Sequence, residues 1–587
     1  MVSTQGRKGS PTGMRLVPLW LGLLLAIAFN SGMRAETVAS EDAAFRAAVD
    51  HFIQSELQMF PERATQLGDH RFDNRIDDVS AHGIAEEILH ATEWQTKLSR
   101  FNSKALSAPN QADRDWLIAR CAGELLSTQE LRTYQRDPGM YLPTSAVYSL
   151  IKRNFAPLEN RLKSVIERER AALKNFDYAR TNLRPERVAQ VTIDINLEQM
   201  PATVAFFEKA LPEAFREVPD GRNKSAFQVA NRQIVEALTK YSEWLRNDLR
   251  PRAVGSYAIG AEAYRRMLAD SDMVDIPLDR LEAVGVAELA RLQEQFHETA
   301  EELDPKASPA EAAAGLAKQH PPADQVIAQV NSGLAALRNY VVEHQIATIP
   351  SEVAPIVAET PPFMRATTFA SMDSPGPLEK STEAYFYVTL PDPSWPAQKK
   401  EQLLAFYAPP TISDTSVHEV YPGHYVQFLN NRLNPDPVRT IYHSGANSEG
   451  WALYCEQMML DEGLHRGDPR YRLAQLQMAL MRACRYLVGI RMHTRAMTVD
   501  EATDFFEKNS YQTPHNARVE ALRGTDDPGY LRYQLGKLMI LKLREDLKKK
   551  QGASFDLGRF HNEYLRQGAV PVPLIRRAML GDEGSLL

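Results

Sequence analysis

From Glu41 onward, apolar residues recur three and four positions apart. Ala44, Phe45, Val49, Phe52 and Ile53 mark one face of an amphipathic helix. The same spacing returns over residues 84–101, 113–132, 158–176, 202–211 and 225–247. Proline and glycine punctuate these segments, and the strict alternation of a strand is rare. Residues 275–304 predict another long helix, with Asp275 as its cap and Pro277 in its first turn. Residues 307–322, rich in alanine and charge, read as a solvated helix and loop. The texture changes between 350 and 410, where prolines are dense. There, residues 383–390 (EAYFYVTL) read as a β-strand of aromatic and β-branched residues. An exposed strand edge at this place could hold a peptide in extended form; a buried structural hairpin fits the same residues. After Ser413 the helical pattern resumes almost to the end.

No internal repeat or low-complexity linker breaks this pattern. The expectation is therefore a mainly α chain with a small β element. Residues 36–587 would form a single helical domain, with room for two lobes around a cleft and a catalytic half at about 340–587. Composition narrows the class. An apolar content of 44% can fill a large core, and a net charge of −7 argues against a nucleic-acid binder, which needs a basic stripe. Cys121, Cys455 and Cys484 share no CxxC spacing, so they read as buried thiols. At the N-terminus, Arg7, Lys8 and Arg15 precede an apolar run over residues 16–29 and small or polar residues up to Ala35. This is the layout of a secretory signal over residues 1–35, and it implies a periplasmic or secreted protein. No cysteine lies nearby to take a lipid. No other apolar run approaches the roughly 20 residues of a membrane span, so none is expected after signal cleavage.

Candidate chemistry is concentrated in His418-Glu419-Val420-Tyr421-Pro422-Gly423-His424. In an HExxH helix two histidines lie one turn apart on one face. Here the second histidine comes two residues late, and on an ideal helix the pair would sit about 120° apart. They can share a metal only if the helix is widened or broken. Pro422 removes a helical N–H and crowds the preceding turn, and Gly423 tolerates irregular backbone. Zinc at a catalytic site takes three protein ligands and keeps an open position. Glu449, 25 residues after His424 and preceded by Ser448 as a helix cap, is the best third ligand. His443 and His465 are rivals without a comparable surrounding block. Glu456, on the same helix face as Glu449, could orient a ligand histidine or be an ordinary surface acid. Glu419 has the position of a general base. Arg482, Arg485 and His493 share one face of a long helix; they either reach a cleft, where arginine can bind a substrate carboxylate, or form structural ion pairs.

The block from His418 to Gln427, with Ser448-Glu449-Gly450-Trp451-Ala452-Leu453-Tyr454, resembles the DUF885 family. The likeness extends through residues 482–485, His493, residues 527–537 and residues 560–561, and more faintly through residues 61–68. This resemblance implies a zincin-like, metallopeptidase-related protein. Its fold would be a large helical gluzincin type with a deep cleft, as in the angiotensin-converting-enzyme and oligopeptidase class. It further implies that Tyr533 or Tyr530 supplies the phenol that faces the oxyanion. The family pattern has an acid where this chain has Gly489; if that acid anchors Arg485 or His493 in relatives, it does not do so here. The expected function is an exported peptidase with one Zn2+ per chain, acting on short peptides or small amides. The alternatives are a metal hydrolase of a non-peptide amide or ester, and a metal- or peptide-binding protein without catalysis.

Overall fold

The computed structural model describes residues 6, 19–361, 364–365, 368–581 and 584–587, without the side chains of residues 19–37. Of the expected leader, Gly6 and the backbone from Leu19 lie within the described residues, the latter at the start of the helix Leu19–Met59. Among the described residues no helix is long and apolar enough to cross a membrane. The fold is mainly helical, as the spacing predicts.

Amphipathic helices bury their apolar stripes against one another, and here they do so in two groups. The larger core joins Phe45, Phe52 and Trp116 to Leu281 and Leu292, and then to much of the chain beyond Val326, including Trp451, Leu480, Leu487 and Leu535. The smaller core gathers Leu162, Phe176, Phe207, Ile234 and Tyr241 around the helices Leu158–Asn182 and Arg222–Trp244. All three cysteines are buried and unpaired.

The β element is a three-stranded sheet of β1 (Ile356–Glu359), β2 (Ala370–Asp373) and β3 (Tyr385–Val388), in the order β1-β3-β2. β1 runs parallel to β3 and β2 antiparallel to it. The strand legible in the sequence is thus the central one, hydrogen-bonded on both sides, and the edges belong to β1 and β2. β2 reads poorly from sequence because its four residues, Ala-Ser-Met-Asp, lack β-branched and aromatic side chains.

Two local expectations need correction. Asp275 does not cap the long helix, which runs Leu278–Leu303 after Pro277; its carboxylate instead pairs with Arg265 at 2.7 Å. Within residues 307–322, the helix Pro309–Ala317 starts from a Ser308 capping box and buries Ala312, Ala313 and Leu316. Alanine-rich segments hide a stripe well because alanine carries so little hydrophobic contrast.

Candidate metal centre

The helix Pro409–Glu419 ends at Glu419, and a new helix, His424–Arg432, begins with the second histidine. Between them the chain folds back on the last turn. The N–H groups of Val420 and Tyr421 both reach the Ser416 carbonyl, and that of Gly423 reaches the Val417 carbonyl at 3.1 Å. The Trp451 indole N–H holds the Pro422 carbonyl at 3.0 Å. Gly423 is required here by space, since its φ of −67° is ordinary. A Cβ would lie 1.8 Å from the His418 carbonyl oxygen and 2.4 Å from that of Val417. The motif therefore works by breaking the helix rather than widening it.

Glu449 comes from the helix Gly445–Asp461. Ser444, whose side chain accepts from the Asn447 N–H, caps that helix; Ser448 lies inside it. The fully buried carboxylate of Asp272 fixes two elements at once. It accepts from the Ser444 hydroxyl (2.6 Å), the Ala446 N–H (3.0 Å) and the Arg532 guanidinium (2.7 Å). It thereby joins the helix of Glu449 to the helix Arg532–Gln551, which carries Tyr533. Those helices cross in backbone contact, and a Cβ on Gly450 would meet Gly536 main-chain atoms at 2.5 Å.

His418, His424 and Glu449 each direct one ligand atom to a common point, all within 4.8 Å of one another. Glu449 Oε2 lies 3.6 Å from His418 Nε2 and 3.5 Å from His424 Nε2. Two ligands about 2.0–2.1 Å from one tetrahedral zinc lie about 3.3 Å apart, so the set fits such an ion. The other nitrogen of His418, Nδ1, meets Glu456 Oε1 at 2.7 Å, the contact that orients a ligand imidazole. Burial alone would lower the His418 pKa, but hydrogen bonding to Glu449 and Glu456 and the charges of Glu456 and Glu419 push it up to about 10. The Glu449 carboxyl is held well below its ordinary range, because the two histidines outweigh the effect of burial.

Glu419 accepts the Met372 N–H of β2 at 2.9 Å through Oε2. Burial raises its pKa, against the opposing charge of His418 and His424. The edge strand thus anchors the candidate base. These residues open on a cavity of about 960 Å³, lined also by Ala370, Ser371 and Met372 of β2 and by Glu198 and Ala202 of the helix Gln190–Ala205.

The remaining candidates separate in space. Tyr533 lines the cavity, and its hydroxyl accepts from Arg523 at 3.0 Å. Tyr530 is fully buried and off the wall, donating to Glu520 at the carbonyl (3.0 Å) and at Oε2 (2.5 Å). Arg485 forms a fork with Glu520 at 2.6 and 2.8 Å, so an acid from the helix Pro514–Asp526 partners it where Gly489 cannot. Arg482 lines the cavity. His493 is buried away from it and bonds the Gly524 carbonyl at 2.8 Å. His443 is exposed on the cavity lining, and His465 bonds Ser413 and stacks on Tyr471. Glu520, Arg523, Asp272 and the Met372 N–H carry no motif, and only folding shows their part.

A profile described as bacterial protein of unknown function (DUF885) matches residues 61–579. Two solved structures are similar. One, a candidate lipoprotein of unknown function from Shewanella oneidensis, is 24% identical with a TM-score of 0.76, covering 91% of this chain and 99% of that one. The other, a candidate lipoprotein from Colwellia psychrerythraea, is 18% identical with a TM-score of 0.76, covering 92% and 99%. At these identities the likeness concerns the fold. No curated protein matches the chain.

Proposed function

We propose that this chain, which belongs to the DUF885 family of bacterial proteins of unknown function, is an exported zinc-dependent peptidase of the helical gluzincin type. One observation carries the reading: His418, His424 and Glu449 converge at metal-ligand spacing while Glu419, held by the β2 backbone, stands beside them. Bound zinc supplies a Lewis acid that brings the pKa of water near 7. Glu419, with its pKa raised by burial, takes the proton from the attacking water and returns it to the leaving amine. Tyr533 accepts from Arg523 and so has its own O–H free to donate to the developing oxyanion. The edge of β2 offers backbone groups for an extended peptide beside the base. Export is supported by the signal-like N-terminus and by the similar fold of two candidate lipoproteins.

The test is cleavage of a mixed peptide library, read by mass spectrometry, with wild-type protein, chelator-treated protein and Glu419→Ala. Cleavage by the zinc-loaded wild type alone is the expected result. Equal cleavage by wild type and Glu419→Ala would remove Glu419 as base, and silence from zinc-loaded wild type would sink the peptidase reading in favour of a non-peptide amide or ester.

A further inference from the structure

The cavity wall beside Tyr533 holds more positive charge than its neighbours neutralise. Arg482 and Arg485 reach it from the helix Pro469–Arg495, and Arg523 from the helix Pro514–Asp526. Glu520 is the carboxylate paired among them, and its oxygens are taken. Oε1 accepts from Arg485 Nη2 at 2.8 Å, and Oε2 accepts from Arg485 Nε at 2.6 Å and the Tyr530 hydroxyl at 2.5 Å. Arg482 is only 8% exposed, yet among the described residues no carboxylate lies at ion-pair distance from it. Its Nη1 meets the sulfurs of Met478 and Met481 at 3.9 and 4.0 Å, and its Nε has no partner. Asp414 acts on it only from beyond ion-pair distance. Arg523 gives one hydrogen bond to Tyr533 and, among the described residues, forms no ion pair.

A buried guanidinium is costly to keep without a counter-charge. Arg482, buried on the cavity wall beside a half-buried Arg523, is explained if the ligand brings that charge. Tyr533 ties them to the metal centre: the Arg482 and Arg485 guanidinium carbons lie 5.8 and 5.1 Å from its ring centroid, Arg523 bonds its hydroxyl, and the charge of Glu449 acts on the same phenol.

We propose that Arg482, assisted by Arg523, binds a carboxylate of the substrate, so that the preferred substrates are short peptides carrying a carboxylate about one or two residues from the bond to be cleaved. This rests on the peptidase reading. A C-terminal carboxylate and an acidic side chain present the same planar, forked acceptor to arginine, and the test separates them. Binding of N-acetyl-tetraalanine, its C-terminal amide, and that amide with aspartate as its last residue is measured by calorimetry on zinc-loaded Glu419→Gln protein. A peptide bearing the carboxylate is expected to bind roughly 10- to 100-fold more tightly than the plain amide. Preference for the free acid assigns the C-terminus, and preference for the aspartate amide assigns a side chain. Adding Arg482→Met should bring the ratio near one, and adding Arg482→Lys, a point charge without the fork, should leave an intermediate ratio. Indistinguishable behaviour of the three peptides, including no binding by any, overturns the proposal; so does a preference that survives loss of the Arg482 charge. Turnover of the same peptides by wild type keeps the two readings apart. Discrimination in binding without cleavage sinks the peptidase reading alone, and cleavage without discrimination sinks this one alone.

Discussion

Gly423→Ala is the sharpest perturbation of the centre, because the atoms nearest the added Cβ are backbone of the preceding turn. The new Cβ would lie 1.8 Å from the His418 carbonyl oxygen, and real contacts of this kind are not found under 3.0 Å, so the backbone must open by at least about 1.2 Å. The opposing atoms are backbone, with no flexible side chain to swing aside. His418 stands on one side of the contact and His424 directly follows Gly423, so the opening separates the two imidazoles. Zinc sites tolerate errors of only about 0.2 Å in ligand distance. The expected loss in zinc affinity is therefore at least about 100-fold, beyond the 10- to 100-fold typical of a lost supporting contact. Overpacking of this kind also destabilises by about 1–3 kcal/mol or more, so a second variant is needed to separate the two effects. Gly255→Ala, outside the cavity lining, meets the Arg187 main chain at 2.2 Å and should lose stability while still holding zinc. Competition with a chromogenic chelator gives the affinity, and circular dichroism gives the fold. A folded Gly423→Ala protein that binds zinc within about threefold of wild type would refute the account of the broken helix.

Other expectations follow from the same geometry. Glu456→Gln weakens the hold on the His418 imidazole and should lower zinc affinity about 10- to 100-fold, measured in the same competition; unchanged affinity would show that Glu456 does not orient the ligand. Tyr533→Phe should lower kcat about 100- to 1,000-fold with little change in KM, whereas Tyr530→Phe should cost about 1 kcal/mol of stability and little kcat; the reverse pattern would exchange their roles. Burial alone would raise the Glu520 pKa, but the charge and hydrogen bonds of Arg485 overcome this and bring it to about 2. A carboxylate depressed in the folded state contributes stability that is present above its unfolded pKa, about 4.5, and lost as pH falls toward 2. Over that window wild type should lose up to about 3 kcal/mol relative to Glu520→Gln in urea unfolding; a constant difference between the two would refute the pairing.

Much of the fold could be read from residue spacing, because three-and-four periodicity follows directly from burying one face of a helix. The long helix near 278–303 and the alternation from helices to a proline-rich β segment were both visible, with errors at the ends. Asp275 and Ser448 are good caps by type, but the helices start at Leu278 after Pro277 and at Gly445 after the Ser444 cap. β2 was invisible because its pairing to β3, and not the character of its own residues, makes it a strand.

By itself the sequence determined the mainly helical class, and it singled out His418, Glu419, His424 and Glu449 through the rarity of their block. It also placed the break at Pro422-Gly423, since local chain chemistry makes that break. Tertiary structure alone decided how ligands from three helices meet; Asp272 and the Gly450–Gly536 contact fix the helix of Glu449 from far along the chain. It alone parted Tyr533 from Tyr530 and Arg482 from Arg485. Neighbours in sequence on one helix face look equivalent until another helix brings Glu520 to one arginine and leaves the next, among the described residues, without a paired carboxylate. Spacing along a chain fixes the direction a side chain takes from its own helix, whereas its charge balance depends on what folding packs against it.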